Sequence, residues 1–426
     1  MIDIKLIREN PQFVKDGAKK KNFDADKMID EILEIDAKRR EITGKVETMR
    51  AKQNSVSKEI PKVKKEGGDA SAIMAEMKTL SAEIKDYGVK LSKIEEKQKE
   101  MLSCLPNMPD EDVCAGGKEN NKPLRYYKEK PQFDFKPKDH VELCESLHMI
   151  DYKRGAKLGG AGSWIYTGMG ARLEWALINF FIAEHIKDGY EFVLVPHMLN
   201  YECGYVAGQF PKFGDEVYWI QNPTSSDKKF MLPTAETALV NLYRGEILDE
   251  SELPKKFISY TPCYRREAGS YRSEERGMIR GHQFNKVEMV QYTKPEDSDA
   301  AFEELVGKAE RLVQELGLHY RLSKLAAADC SFSMARTYDI EVWIPSMGIY
   351  KEVSSASNAR DYQARRGGTK YRGKDKKTHF VNTLNASGLA TSRVVPAIVE
   401  QCQNADGSVT VPEVLRKYMG VDIIKP

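Results

Sequence analysis

Charged side chains recur at alternate positions in four short segments of this chain. Residues two apart in a strand point to the same side of a sheet, so each segment would present its charges on one face. Carboxylates and arginines are costly to bury unless they are paired or bound to a ligand. A single such strand would fit an exposed face with cross-strand ion pairs, whereas four favour the floor of a site for a charged ligand. The aligned residues are Arg265 and Glu267, then His282, Phe284, Lys286 and Glu288, then Asp339 and Glu341, and then Glu352, which alternates with Val353.

The ligand of such a face would need cationic, anionic and metal-bound parts, and an amino acid together with Mg-ATP has all three. The sequence contains neither a P-loop nor a strand-borne GxGxxG, so side chains would have to hold any ATP. An arginine fork can bind the α-phosphate through two hydrogen bonds. A glutamate and a serine hydroxyl can share Mg²⁺, which prefers oxygen ligands.

The elements that would position these residues follow residue 113. Helical spacing spans 172–185, and the segment EFVLVP reads as a short strand that Pro196 stops. Adjacent strands with few intervening helices predict an α+β domain, in which helices flank a mostly antiparallel β-sheet. Further strands are predicted at 256–265, 282–293, 337–344, 348–354 and 378–384, with helices near 235–245, 297–316 and 388–403.

The N-terminal part has a different pattern, a seven-residue apolar repeat over about 27–101. It predicts two helices of similar length that form an antiparallel coiled coil, interrupted at Pro61 and at Gly67-Gly68. On pattern alone, a solvated spacer or dimerisation coiled coil is as good an interpretation as an arm that touches a long polyanion. The segment LPNMPDEDV at 105–113 contains two prolines and predicts a hinge to a separate domain.

The composition of the chain argues against several classes of protein. The 426 residues carry 66 Lys and Arg against 64 Asp and Glu, so the net charge of +2 indicates neither nucleic acid nor membrane, and any basic site must be local. No apolar run approaches the roughly 20 residues that span a bilayer, and the N-terminus lacks the apolar block of a signal peptide. Seven scattered cysteines without CxxC argue against a disulfide framework or zinc cluster and predict a cytoplasmic location.

Three segments resemble the motifs of class II aminoacyl-tRNA synthetases: YEFVLVPHMLN, then YRREAG with HQFNKVEMV, then GLATSR. With MIDIKLIRENP, PTAET, KEVSSASN and VPEVLRKYMG in order around them, the chain resembles bacterial-type seryl-tRNA synthetases over essentially its whole length. The resemblance implies an N-terminal tRNA-binding domain at 1–104 that contains the arm, a hinge at 105–135 and a class II catalytic domain at 136–426.

The resemblance also implies residue roles. Thr234, Ala235, Glu236, Glu288 and Ser387 would bind serine, and Arg265 and Arg393 would be catalytic. Without it, Thr234 and Glu236 fit a helix cap and a first-turn acid, Phe284 fits a core aromatic, and Arg393 fits a helix-surface charge. Glu352 and Ser355 would bind Mg²⁺, with help from Glu341. The implied ATP-binding residues are Arg265, Arg266, Glu267, Gly281, Phe284, Glu352, Val353, Ser354, Ser355 and Arg393.

The implied reaction is two-step. Serine and ATP form seryl-adenylate, and the seryl group then passes to the 3′ end of serine tRNA, and by extension of selenocysteine tRNA. The arm would lie along the long variable arm of the tRNA, and the arm of one subunit of a homodimer would serve the other's active site, with no membrane partner. The basic loop at 365–377 fits a contact with the tRNA acceptor end and a solvated loop equally well.

Two rival functions stay open: a ligase that activates an amino acid for another acceptor such as a carrier protein, and a non-catalytic RNA-binding paralogue. The complete arm argues against the first, and the intact charged residues argue against the second. Several positions depart from the usual family pattern and leave room for altered tolerance of serine analogues. These are Ala207, Gly281, Ala328, Ser331, Ala386 and Pro396, the last of which should bend its helix or cost a hydrogen bond.

Overall fold

The computed structural model describes residues 1–67, 69–221, 227–267 and 277–425. The chain divides into two compact units. One comprises Ile2–Lys19 and Phe23–Pro106, and the other comprises Met1, Lys20–Asn22 and Asn107–Pro426. In the described part of the chain, no helix is both long enough and apolar enough to cross a membrane.

The secondary structure comprises both long helices and many short strands. The helices are α1 (Ile4–Glu9), α2 (Pro11–Lys20), α3 (Asp26–Lys65), α4 (Ser71–Ser103), α5 (His140–Ser146), α6 (Tyr152–Gly159), α7 (Gly168–Lys187), α8 (Tyr201–Ala207), α9 (Glu236–Leu239), α10 (Ser298–Glu315), α11 (Tyr362–Gly367), α12 (Thr391–Gln401) and α13 (Glu413–Met419). The strands are β1 (Lys122–Tyr127), β2 (Ile150–Asp151), β3 (Ile165–Tyr166), β4 (Glu191–Phe192), β5 (Met198–Asn200), β6 (Trp219–Ile220), β7 (Lys229–Met231), β8 (Ile247–Asp249), β9 (Lys255–Tyr264), β10 (Gln283–Thr293), β11 (Tyr320–Lys324), β12 (Arg336–Ile344), β13 (Ile349–Arg360), β14 (Lys370–Arg372), β15 (Thr378–Phe380), β16 (Asn382–Ala390), β17 (Val409–Thr410) and β18 (Ile423–Ile424).

The long helices α3 and α4 form the predicted antiparallel hairpin. Gln98 donates a hydrogen bond to the buried Asp36 over 3.3 Å, and Gln53 donates one to Ser81 over 2.7 Å, so early residues of α3 meet late residues of α4. The seven-residue repeat marks the side chains that are shielded, and the positions between them are mostly exposed. The interruption expected at Pro61 does not occur, because α3 continues to Lys65. Residue 57, whose carbonyl loses its hydrogen-bond donor at Pro61, is exposed and can bind water instead.

The main sheet of the larger unit has eight strands in the order β1-β11-β12-β13-β16-β10-β9-β4. Neighbouring strands are antiparallel except for β4 and β9, which are parallel. Apolar residues of α7, α10 and α12 form the principal core with one side of the strands, including Val287, Met289, Ile340, Val342 and Val353. Helices therefore cover one face of the sheet, and the predicted α+β fold with a mostly antiparallel sheet is confirmed.

Several predicted elements have different bounds. The strand predicted at 348–354 extends to Arg360, and the one predicted at 378–384 is two strands, β15 and β16. The helix predicted from residue 388 begins at Thr391, because β16 continues to pair with β10 as far as Ala390. The helix predicted near 235–245 is only α9, and the EFVLVP strand is only β4. The 105–135 segment contains β1, which pairs with β11.

Candidate active site

A cavity of about 340 Å³ lies over the part of the sheet that carries the charged residues. Its walls come from β10, β12, β13 and β16, together with the residues before α9 and the start of α12. The structure thus brings together eleven residues that the sequence singled out, namely Thr234, Glu236, Arg265, Lys286, Glu288, Asp339, Glu341, Glu352, Ser355, Ser387 and Arg393.

Two carboxylates mark one end of this cavity. The side-chain amide of Asn385 donates a hydrogen bond to Glu236 over 3.3 Å and another to Glu288 over 3.2 Å. Gln363 donates to the second oxygen of Glu236 over 2.8 Å. Burial, followed by the nearby charge of Glu288, raises the pKa of Glu236 to about 7. This end of the cavity can accept hydrogen bonds from a small cation.

A buried lysine lies beside the same carboxylates. Lys286 Nζ donates a hydrogen bond to Thr234 Oγ1 over 2.9 Å and forms an ion pair with Glu288. The backbone N–H of Glu236 also donates to Thr234 Oγ1, over 3.3 Å. Both lysine and glutamate are inward-facing residues of β10, two positions apart, as the strand period requires.

Arg265 lies where β9 ends, at the border between the cavity and a neighbouring recess. Its backbone N–H donates to the carbonyl of His282 over 2.9 Å, and its Nε donates to the carbonyl of Pro233 over 3.2 Å. The guanidinium carbon is 5.2 Å from the centroid of the Phe284 ring. Together these contacts hold a cation and an aromatic face side by side, a combination suited to a phosphate joined to a planar base.

Arg393, in the first turn of α12, approaches the recess from the other side. Its guanidinium donates to the backbone carbonyl of Glu352 over 2.9 Å and lies 3.4 Å from the Glu352 carboxylate. Burial raises the pKa of Glu352, but Arg393, Arg265 and Lys286 together outweigh burial and leave this pKa below its usual value. The Glu352 side chain is 41% exposed, so an anionic oxygen faces the cavity.

Oxygen groups on β12 and β13 cluster beside Glu352. The two strands pair Asp339 with Ser355 and Glu341 with Glu352, across a bulge that brings both pairs to the cavity face. Asp339 is only 8% exposed, and its Oδ1 has no hydrogen-bond partner among the described residues. Glu341 already accepts hydrogen bonds from Arg321 over 2.8 Å and from Ser323 over 2.6 Å.

Among the described residues no group of three or more His, Cys, Asp or Glu side chains has the arrangement of a metal site. Mg²⁺ commonly uses one or two protein oxygens and completes its shell with water and phosphate. The exposed Glu352 carboxylate, the Ser355 hydroxyl and the unpartnered Asp339 oxygen therefore fit a magnesium ion that arrives with a nucleotide.

Not every predicted residue points into the cavity. Val353 lies in the principal core, Ala235 is fully buried, and Ser354 donates its hydroxyl proton to the carbonyl of Ser387. Arg266 donates to the carbonyls of Glu216 and Asp215. Glu267 forms an ion pair with Arg280, and both lie in the recess with Gly281 and Phe284. Residues 268–276 of the loop between Glu267 and Arg280 lie outside the described residues.

Known proteins share both units of this chain. Residues 1–109 match the family model of the seryl-tRNA synthetase N-terminal domain, and residues 218–402 match that of the class II tRNA synthetase core domain (G, H, P, S and T). Serine–tRNA ligase 2 of Clostridium acetobutylicum is 62% identical over 425 residues, which are 99% of this chain and 100% of that protein. This chain belongs to the seryl-tRNA synthetase family.

Other members of this family match the chain over its whole length, in sequence and in fold. Serine–tRNA ligase of Fervidobacterium nodosum is 47% identical over 429 residues, and the alignment covers 100% of both chains. A crystal structure of seryl-tRNA synthetase from Pyrococcus horikoshii, complexed with ATP, is 33% identical and superposes with a TM-score of 0.92 over 100% of both chains. The fold, the enzyme class and the resemblance stated from the sequence are confirmed.

One departure from the usual seryl-tRNA synthetase pattern has a direct structural cause. A Cβ atom at Gly281 would lie 2.6 Å from Cη2 of Trp164 and 2.7 Å from the carbonyl oxygen of Gly162. The indole ring therefore occupies the space that a side chain at position 281 would need. Gly281 borders the recess that holds Phe284, so Trp164 supports one wall of that recess from behind.

The other departures are scattered. Ala207 and Ser331 line a second cavity of about 440 Å³ that shares Thr234, Glu236 and Arg265 with the first. Ala386 is buried in β16, and the backbone of Ala328 donates to the carbonyl of Gly116 over 2.9 Å. Pro396 lies inside α12 and has no backbone N–H to donate, so the carbonyl expected to lose its hydrogen bond is that of Ser392, in the first turn of that helix.

Asn385 also lines the cavity of this seryl-tRNA synthetase family member, although the sequence did not single it out. Asn385 lies two residues before Ser387 in β16, so the alternation of side chains already places both on one face. The strand period placed Lys286 on the correct face but did not predict its two partners. Thr234 is distant in the sequence, and the ion pair with Glu288 depends on side-chain rotamers.

Proposed function

We propose that this chain is a serine–tRNA ligase that activates L-serine with ATP and transfers it to the 3′ end of serine tRNA. The observation that carries the proposal is that the cavity has a carboxylate end, at Glu236 and Glu288, and adjoins, at Arg265, a recess lined by the aromatic ring of Phe284. The first suits the ammonium and hydroxyl groups of serine, and the second suits the phosphate and base of ATP. Membership of the seryl-tRNA synthetase family supports the same substrates.

In the nucleotide site, Arg265 would bind the α-phosphate and the serine carboxylate, and Phe284 would stack on adenine. Arg393 would cover the other face of the base or reach the γ-phosphate. Glu267 and Gly281 border the same recess and would face the adenine side. The side chains of Arg266, Val353 and Ser354 are engaged in other contacts, so these residues would contact the nucleotide through backbone atoms.

Glu352 and Ser355 would hold Mg²⁺, with Asp339 or Glu341 beside them. When bound, the ion would neutralise phosphate charge and help to orient the nucleotide. The protein itself supplies the exposed Glu352 carboxylate and keeps it anionic through the neighbouring arginines.

Serine would be recognised through its polar groups. Thr234 and Glu236 would bind the α-ammonium group, and Glu288 and Ser387 would contact the hydroxyl. A pocket built to hydrogen-bond a hydroxyl rejects alanine strongly, because its own polar groups would be left without partners. The extra methyl group of threonine would have to be excluded by shape.

The chemistry needs no nucleophilic side chain. A serine carboxylate oxygen would attack the α-phosphorus, forming the acyl-phosphate bond of seryl-adenylate while the bond to the β-phosphate oxygen breaks and pyrophosphate leaves. The terminal ribose hydroxyl of tRNA would then attack the carbonyl carbon and release AMP. Arg265 would stabilise the charge that develops on phosphorus, and the other residues would position the reactants.

The hairpin of α3 and α4 would bind the long variable arm of serine tRNA, and of selenocysteine tRNA, through shape and backbone contacts. The basic segment at 365–377 was expected to be a loop but includes the end of α11 and strand β14. The guanidinium of its Arg365 binds Asp361 over 2.8 Å. This segment would contact the acceptor end of the tRNA.

The chain would act as a homodimer in the cytoplasm, where tRNA is charged. Large apolar side chains are exposed on and near the segment that resembles the dimer motif, including Trp175 at 55%, Leu194 at 74% and Met198 at 62%. An exposed apolar surface of this kind is typical of an interface.

ATP–pyrophosphate exchange measured with each of the twenty amino acids, followed by charging of total bacterial tRNA, tests the proposal. We expect exchange to depend on serine and charging to consume serine tRNA. Exchange with serine but no charging of tRNA would favour the ligase for another acceptor. No exchange with any amino acid would favour the non-catalytic paralogue.

A further inference from the structure

Lys286 is a buried cation in a pocket that is proposed to receive another cation. Its side chain is 7% exposed, and Nζ contacts Thr234 and Glu288, two of the residues proposed to bind serine. Burying an ammonium group is costly unless anionic or polar partners surround it. The burial of this ammonium group therefore indicates that Lys286 has a function within the pocket.

The pocket contains two carboxylates that act on each other. Glu236 and Glu288 both accept hydrogen bonds from the amide of Asn385, and the charge of Glu288 contributes to the raised pKa of Glu236. Two nearby carboxylates resist simultaneous ionisation. Lys286 opposes this effect, since its charge lowers the pKa of Glu236. With the serine ammonium bound, two cations would then balance two anions.

We propose that Lys286 is a positioning residue of the serine pocket, which neutralises the charge of Glu288 and orients Thr234 so that Glu236 can pair with the α-ammonium group of serine. The inference rests on the proposed function and deepens it. Lys286 does not itself have to touch the reacting atoms.

The charged groups that act on Glu236 come from two strands, and its neutral hydrogen-bond donors come from two other elements. Glu288 and Lys286 face it from β10, and Arg265 faces it from the end of β9. Gln363 of α11 and Asn385 of β16 are its neutral hydrogen-bond donors. Removal of Lys286 would leave Arg265 as the remaining cation of this set, so Glu236 would ionise at a higher pH.

The test uses the full-length chain and serine-dependent ATP–pyrophosphate exchange between pH 6 and 9. Lys286→Met removes the charge and the hydrogen bond, and Lys286→Arg keeps a charge. Lys256→Met is the matched control, because Lys256 lies on the adjacent strand β9 and forms its ion pair with Glu304, 2.9 Å away, outside the cavity. Thermal unfolding of each variant is recorded in parallel.

For Lys286→Met we expect the KM for serine to rise at least about tenfold at pH 7, with the KM for ATP changed far less. The midpoint of the rise of kcat/KM for serine with pH should move upward by about one pH unit. Lys286→Arg should restore the midpoint even where its larger head group reduces the rate. Lys256→Met should match the wild type in the KM for serine and in the pH midpoint.

Equal increases of the KM for serine and for ATP, with an unchanged pH midpoint, would overturn the inference and leave Lys286 a purely structural residue. If Lys286→Met does not fold, the pH midpoint of Lys286→Gln decides in the same way. The exchange activity of the wild type distinguishes failure of the proposed function from failure of this inference. Absence of serine-dependent exchange in the wild type refutes the proposed function, whereas normal wild-type exchange with an unaltered Lys286 variant refutes only this inference.

Discussion

Glu236, at the start of α9, and Glu288, in the middle of β10, accept hydrogen bonds from a single side-chain amide, that of Asn385. This shared donor joins a short helix to the central sheet and places two carboxylates in one pocket. The pocket adjoins Arg265, so the site presents anionic groups at one end and a cation at the other.

The pH dependence of serine use follows from Glu236. Its pKa of about 7 means that the carboxyl is substantially protonated below pH 7 and cannot then pair fully with an ammonium group. We expect kcat/KM for serine in the exchange reaction to fall by about tenfold in total as pH decreases from 8 to 6, since the ionised fraction of a group with this pKa falls by that factor. A profile that is flat over this range would contradict the assignment of Glu236 to the ammonium group.

Substitution of Arg265 should affect the exchange rate far more than substitution of its neighbour Arg266. Arg265 borders both the cavity and the recess, whereas Arg266 donates to the carbonyls of Asp215 and Glu216. Arg265→Ala should reduce the exchange rate at saturating substrate by roughly a hundredfold to a thousandfold, as expected for loss of a charge-stabilising donor. Arg266→Ala is the matched control and should retain most of the rate. Equal losses in the two variants would mean that the charge is supplied elsewhere.

The contact between Trp164 and Gly281 predicts a compensating pair of substitutions. Gly281→Ala places a Cβ atom against Cζ3 of the indole and 2.6 Å from Cη2, so the wall beside Phe284 must shift and the KM for ATP should rise by about tenfold. Adding Trp164→Ala removes the contacts with the ring but leaves the one with the Gly162 carbonyl oxygen, so it should recover part of the loss.

Gly307→Ala is the control for that pair, since Gly307 lies in α10 with nothing within 4 Å of the added atom. It should leave the KM for ATP unchanged. If Gly281→Ala has no effect, or if Trp164→Ala worsens it, the ring does not support the recess in the proposed way.

The hairpin should serve tRNA and not amino-acid activation. Deletion of residues 30–98 removes most of α3 and α4 while leaving every residue that lines the cavity. We expect pyrophosphate exchange to be retained and tRNA charging to fall by on the order of a hundredfold or more, because backbone and shape contacts supply most of the affinity for RNA. Charging at the wild-type rate after this deletion would rule out the assignment of the hairpin.

The hairpin and the central strands could be predicted from the sequence because their side chains follow strict periods of seven and of two. The same alternation correctly placed Lys286 and Glu288 opposite the apolar Val287 and Met289. Residue roles beyond this came from the resemblance and stay predictions until ligands are bound.

The remaining features depend on contacts distant in sequence. The extension of β13 to Arg360 reflects pairing with both β12 and β16, which the local sequence does not reveal. Gly281 is explained by Trp164 and by the carbonyl of Gly162, both more than a hundred residues earlier. The first strand, β1, was missed because its side chains are mostly exposed and carry no apolar alternation.

A crystal structure of the protein with a non-hydrolysable analogue of seryl-adenylate tests the central claim most directly. We expect the Arg265 guanidinium to contact the phosphate mimic and Phe284 to stack on adenine. Glu236 and Glu288 should contact the ammonium and hydroxyl groups of the seryl part. An analogue bound elsewhere, or bound while these side chains keep only their contacts with one another, would contradict it.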